Sequence, residues 1–189
     1  MYKMLAIGLS AGGTPLVKQL LAALPEDYPL AVVIVAHLPQ DHDTNLAQML
    51  GKVTALPVSI AKDKEPIMTG HVYIAPPGYH LLVEQDCPLA FALSEDEPVR
   101  SVRPSIDVLL TSAAEAFEAG LIAVVLSGAN SDGADGMSVV KQLDGLCIVL
   151  NPPDAEFSTL PNAVIRQVDV DYIVNMEDMI SLLVSVDEK

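Results

Sequence analysis

Aromatic side chains are scarce in this chain: they make up 4% of its 189 residues, and tryptophan is absent. The core must therefore be built from Val, Leu, Ile, Ala and Met. Aliphatic runs of that kind suit strands covered on both faces by helices. Basic residues are scarce too. Ten Lys and Arg stand against 25 Asp and Glu, a net charge of −15. Nucleic acid and anionic membrane are thereby excluded as main partners, since both require a basic surface. The acids are spread along the chain, and clusters such as Ser94-Glu95-Asp96-Glu97 read as solvated faces. The two cysteines, Cys87 and Cys147, have neither metal-site nor redox-motif spacing. They are expected to be reduced, buried thiols in a cytoplasmic protein. No apolar run reaches membrane-spanning length, because Pro, Gly or charge interrupts each one. Met1 to Met4 lead straight into a strand, so no signal peptide is expected.

What the chain does have is 51% hydrophobic residues, enough for one well-buried core and a single domain over residues 1–189. Strand and helix patterns alternate. Strands are expected over residues 3–9, 30–36, 57–61, 70–75, 121–126, 146–150 and 172–174. Helices are expected over 15–24, 45–50, 104–117, 133–143, 160–167 and 176–186, with Thr14 as the first N-cap and Pro15 at the first helical position. Residues 79–84 and 89–93, joined by Gln85-Asp86-Cys87-Pro88, read as an antiparallel hairpin. The sum is an α/β fold: a single doubly wound domain with a mostly parallel sheet and an inserted hairpin.

The turn after the first strand, Gly8-Leu9-Ser10-Ala11-Gly12-Gly13, carries the first chemical signal. It is not a dinucleotide loop, because Ser10 replaces the middle glycine of G-x-G-x-x-G and no ribose-binding acid follows at the end of a second strand. It is not a Walker-A loop either, because no Gly-Lys-Ser/Thr follows. A serine between glycines at a strand-to-helix turn is the nucleophile-elbow pattern, and the helix beyond it aims N–H groups at developing negative charge.

Sites in open α/β sheets form at the carboxyl ends of strands. Two further residues stand at such ends: His37, closing the second strand, and Asp132, in the loop after residues 121–126. A hydroxyl needs an adjacent base, and the base needs an acid that fixes its tautomer. Ser10, His37 and Asp132 supply those roles. Taken singly, His37 reads as a packed histidine and Asp132 as a cap for the helix from Gly133; their joint placement at three strand ends favours catalysis. His42, between Asp41 and Asp43, reads as a solvated loop residue rather than a metal ligand. His71 begins a strand. His80 either supports the site from behind or only packs.

Several ordered blocks resemble the catalytic domain of the CheB family of chemotaxis protein-glutamate methylesterases. They are Ile7-Gly8-Leu9-Ser10-Ala11-Gly12-Gly13, Ala36-His37-Leu38-Pro39, Ile74-Ala75-Pro76-Pro77-Gly78-Tyr79-His80-Leu81, Val102-Arg103-Pro104-Ser105-Ile106-Asp107, Leu126-Ser127-Gly128 through Asp132-Gly133-Ala134-Asp135-Gly136-Met137, and Pro152 to Phe157 with Pro161. The resemblance implies hydrolysis of γ-glutamyl methyl esters on chemoreceptor helices, with deamidation of particular glutamines. It implies Ser10 as nucleophile, His37 as general base and Asp132 as orienting acid. Ala11, Gly12, Ala129 and Asn130 would lie at the substrate and oxyanion position. It implies no metal and no cofactor. The partners it implies are methylated chemoreceptor helices, with a methyltransferase or other chemosensory signalling proteins. Ala11 replaces the family's usual threonine, Gly128-Ala129-Asn130 stands where many members have Gly-Met-Gly, and Thr159-Leu160-Pro161 stands for Gly-Met-Pro. The sequence is similar to members without a receiver domain, and no receiver is expected here. Two other readings stay open. The altered loop residues allow a serine esterase or amidase with another acyl substrate. The missing receiver and the acidity allow an inactive docking module of a chemosensory pathway.

Overall fold

The computed structural model describes residues 1–37, 43–85 and 88–188. Among the described residues, seven strands form a sheet with the order β3-β4-β2-β1-β7-β8-β9, so β3 and β9 are its edges. These are β1 (Met4–Leu9), β2 (Ala31–Ala36), β3 (Val58–Ile60), β4 (Val72–Ile74), β7 (Leu121–Val125), β8 (Leu146–Leu150) and β9 (Tyr172–Val174). Every neighbouring pair is parallel. Strands β1, β2 and β7 are buried along their whole length, as expected of aliphatic runs covered on both faces. The inserted hairpin is present as β5 (His80–Glu84) and β6 (Ala90–Ser94), paired antiparallel in a sheet of their own.

Side-chain alternation along β1 divides the core. Met4 and Ala6 face one layer, with residues of α3 (Ile106–Phe117), α4 (Ala134–Gln142), α5 (Thr159–Gln167) and the hairpin. Leu5, Ile7 and Leu9 face the other, with α1 (Thr14–Ala23), α2 (Asp43–Leu50) and α6 (Met176–Val184). Among the described residues, three α-helices on each face give the doubly wound architecture. The chain builds the sheet outward from β1 on one side, then returns to its other side with β7, so the strand order reverses at β1. The carboxyl ends of β2, β1 and β7 therefore lie side by side at a topological switch point, where α/β sheets form ligand crevices.

Two local expectations change. The N-cap of α1 is Gly13, not Thr14, because the Gly13 carbonyl already accepts the Val17 N–H at 3.0 Å; no side chain caps this helix. Asp132 does not cap α4 either. That helix starts from Gly133 at φ +116° without a side-chain cap from its own turn, and Asp132 is drawn to another helix. Cys147 is free and buried, and burial pushes its thiol up to about 12, which makes it inert. Cys87 and His42, with its flanking Asp41, lie outside the described residues.

Candidate active site

The parallel ladder continues past the strand ends and sets the site. The Leu126 N–H donates to the Gly8 carbonyl at 3.0 Å, the Ser10 N–H to the Ser127 carbonyl at 2.9 Å, and the His37 N–H to the Leu9 carbonyl at 3.0 Å. Ser10, His37 and the loop that carries Asp132 are thus tied to one another through backbone before any side chain acts. The turn after β1 is tight, but its left-handed residue is Gly12 at φ +74°, not Ser10. The strained serine of a hydrolase elbow is therefore absent, and glycine absorbs the bend. Gly128 is needed for another reason. A Cβ there would lie 3.1 Å from Ser10 Cβ and 3.0 Å from the Leu160 side chain.

His37 and Asp132 meet. His37 Nε2 lies 2.9 Å from Asp132 Oδ2, with the histidine side chain 8% exposed and the aspartate fully buried. The approach is that of an ion pair, although Nε2 makes no hydrogen bond of full geometry there. The other ring nitrogen, Nδ1, lies 3.4 Å from the Asn130 amide nitrogen, while Asn130 Oδ1 accepts the Asp132 N–H at 3.2 Å. An amide N–H can only donate, so this arrangement leaves the lone pair on Nδ1 and the ring proton on Nε2, facing the carboxylate. Ser10 is half-buried on the adjoining strand, and among the described residues its hydroxyl has no hydrogen-bond partner. The structure thus brings His37 and Asp132 together, with Ser10 at the adjoining strand end and its hydroxyl unpartnered among the described residues.

Asp132 is held from behind by the start of α3. Its Oδ1 accepts the Ser105 hydroxyl at 2.6 Å and, more weakly, the Asp107 N–H at 3.4 Å; its Oδ2 accepts the Ile106 N–H. Burial alone would raise this acid, yet His37, the Ser105 hydroxyl and the Ile106 N–H together hold it below the ordinary carboxylate range. These donors favour the anionic form of Asp132, which faces His37.

Ser127, also fully buried, carries a task that spacing alone did not reveal. Its hydroxyl donates to the Ala11 carbonyl at 2.7 Å and accepts the Phe157 N–H at 2.9 Å. Because the two ends of a peptide group point opposite ways, turning the Ala11 carbonyl toward Ser127 turns the Gly12 N–H away from it. Among the described residues, the N–H groups of Ala11, Gly12 and Ala129 have no hydrogen-bond acceptor. Asn130 is not left-handed, so its replacement of glycine costs no backbone strain.

The remaining histidines divide. His71 pairs with Ser59 at 2.8 Å and stacks on Tyr73, at the β3–β4 edge of the sheet. His80 is buried behind the site and accepts the Ser105 N–H at 3.2 Å.

Comparison with known proteins gives one answer. The profile of the CheB methylesterase family matches residues 5–183. A Leptospira interrogans protein, provisionally named protein-glutamate methylesterase/protein-glutamine glutaminase, is 40% identical over 99% of this chain and 96% of its own length. A Thermotoga maritima protein-glutamate methylesterase/protein-glutamine glutaminase is 34% identical over 91% of this chain, which spans 50% of that relative. The crystal structure of the Thermotoga maritima CheB methylesterase catalytic domain superposes with a TM-score of 0.94 at 31% identity, covering 98% of this chain and 99% of that one.

Proposed function

The chain belongs to the CheB methylesterase family, and from that premise we propose that it is a protein-glutamate methylesterase that hydrolyses γ-glutamyl methyl esters on chemoreceptor helices, with glutamine deamidation as a second activity. The observation that carries the mechanism is the 2.9 Å approach of His37 Nε2 to Asp132 beside Ser10.

Ser10 attacks the ester carbonyl. His37 takes the hydroxyl proton on Nδ1, since Nε2 is turned toward Asp132; the long 3.4 Å contact from the Asn130 amide to Nδ1 gives way to the serine hydroxyl. Asp132 stabilises the imidazolium that forms. The tetrahedral oxyanion is met by the free N–H groups of Ala11, Gly12 and Ala129, whose donors do not depend on their side chains. His37 then returns the proton to the leaving methoxide, and methanol departs. Water, activated by the same base, cleaves the acyl-serine and leaves glutamate. With a glutamine substrate the leaving group is ammonia. The Ser10 hydroxyl and Nδ1 close their hydrogen bond in the substrate complex, as catalytic contacts commonly do.

The esters that this reading requires are those that a methyltransferase makes on receptor helices. Among the described residues no helix is long and apolar enough to cross a membrane. Methanol release from methylated chemoreceptor membranes tests the reading. Wild type should release methanol, and Ser10→Ala should lose on the order of 10⁶-fold in turnover while keeping the fold. Release at the wild-type rate by folded Ser10→Ala would overturn the assignment of the nucleophile.

A further inference from the structure

Behind Asp132 lies a buried polar chain that the reaction does not itself use. The His80 ring is buried, and both its nitrogens are engaged. Nδ1 accepts the Ser105 N–H at 3.2 Å. Because a backbone N–H can only donate, the ring proton sits on Nε2, which donates to the Glu97 carbonyl at 3.1 Å. Ser105 is fully buried too. Its hydroxyl has one proton, and that proton goes to Asp132 Oδ1 at 2.6 Å, while its oxygen accepts the Val108 N–H at 3.4 Å as the N-cap of α3. The contact to Asp132 is much the shorter, as expected of a charge-assisted bond.

We propose that Ser105, seated by His80, is a positioning residue for the site carboxylate: its hydroxyl holds Asp132 in the orientation that serves His37. The inference rests on the assignment of Asp132 as the orienting acid. Oδ2 is shared between His37 and the Ile106 N–H. The carboxylate can therefore pivot about that oxygen unless Oδ1 is pinned, and the 3.4 Å contact from the Asp107 N–H is too long to pin it. Ser105 supplies the pin, and His80 fixes the backbone from which Ser105 reaches.

The role predicts a signature in the pH profile. The charged and titratable groups around Asp132 are His37 at the end of β2, Asp107 on α3 and Asp135 on α4, with Arg100 bridging the last two. A substitution at Ser105 leaves all of them in place. The hydroxyl favours the carboxylate most when the facing imidazole is neutral, so its loss makes the Asp132–His37 pair hold a proton more tightly. The acid limb of the rate then moves to higher pH.

The experiment compares Ser105→Ala, Ser105→Gly, Ser105→Thr and Asp132→Asn in the full chain, with methanol release as readout and thermal unfolding measured alongside. Glycine is an adequate N-cap, so Ser105→Gly removes the hydroxyl while preserving the helix start and carries the test if the alanine variant does not fold. Ala and Gly variants should lose roughly 10- to 100-fold in kcat, with KM within about twofold, on the scale of one hydrogen bond to a charged group. Their acid limbs should shift upward, and Ser105→Thr should restore both rate and profile. A wild-type kcat and profile in folded Ser105→Gly would overturn the inference, as would a slow variant whose acid limb does not move. If Asp132→Asn itself turns over normally, the acid assignment fails and this inference with it. If Asp132→Asn is slow while Ser105→Gly is normal, this inference alone fails.

Discussion

Asp107 and Asp132 occupy matching seats in a crossed arrangement, and the difference between them shows what makes a buried carboxylate useful. Asp132 precedes α4 yet accepts N–H groups from the start of α3. Asp107 lies in the first turn of α3 yet accepts the Gly133 and Gly136 N–H groups at the start of α4, at 2.8 and 2.7 Å. Each acid thus caps the other's helix, where the positive end of the dipole favours an anion. Their protonation tendencies nevertheless diverge. For Asp107, burial dominates: it raises the acid, the Gly136 and Gly133 N–H groups only partly offset it, and the nearby Asp132 adds to the rise. For Asp132 burial also raises the acid, but His37, the Ser105 hydroxyl and the Ile106 N–H tip the balance downward. A helix start alone does not set a carboxylate's charge; the extra donor and the facing imidazole do.

The largest break in this comparison is Asp132→Asn. An amide cannot stabilise an imidazolium, so turnover should drop on the order of 10³–10⁴-fold; the single Asn oxygen replaces only one of the two carboxylate oxygens that accept from Ser105 and Ile106, so some stability is lost as well. A loss below about tenfold would make the two acids equivalent after all.

The next change in size concerns stability at Asp107. Asp107→Ala leaves the Gly133 and Gly136 N–H groups buried without an acceptor and should cost about 2–4 kcal/mol. Asp107→Asn keeps an oxygen for both and should recover most of that, read by denaturant unfolding. The pH dependence should run in opposite directions for the two acids. Asp107, raised in the fold, binds its proton more readily folded than unfolded. Its contribution therefore falls as pH climbs from the ordinary carboxylate value through the raised one. Asp132, lowered in the fold, contributes stability above the ordinary value and loses it as pH falls through the lowered one. The stability of wild type relative to Asp107→Asn should decline with rising pH across that first window; a flat difference would contradict the assignment.

The smallest effect belongs to Arg100. It touches Asp107 at 3.4 Å, Ser131 at 3.3 Å and Asp135, but its side chain is 41% exposed. Water screens such pairs, so Arg100→Met should cost under about 1 kcal/mol and leave turnover within a few-fold. A larger loss of turnover would mean that the exposed bridge, rather than the buried donors, sets the acid.

The layers and the strand ends were legible in the residues themselves. Buried aliphatic runs alternating with helical periodicity placed Ser10, His37 and Asp132 at carboxyl ends, and sheet order then brought those ends together. The crossed capping was not legible. Asp132 reads as the natural cap of the helix one residue on, whereas its donors come from residues 105–107, more than 20 positions away. Only the packing of α3 against α4 creates that pairing. The orientation of the His37 ring was hidden for the same reason, since it depends on Asn130 and Asp132 reaching across from another strand. In the serine turn, the glycine two residues after Ser10 takes the left-handed bend, a detail that the pattern alone does not assign.

One oxygen, Ser127 Oγ, links the turn after β1 at Ala11 to the segment after β8 at Phe157, from its own place after β7. Three loops that would otherwise vary freely in length are thereby cut to a common measure. Added or deleted residues near any one of them would pull its partner off that hydroxyl and disturb the other two. Changes in chain length should be tolerated in exposed turns at the edges of the sheet, but not here.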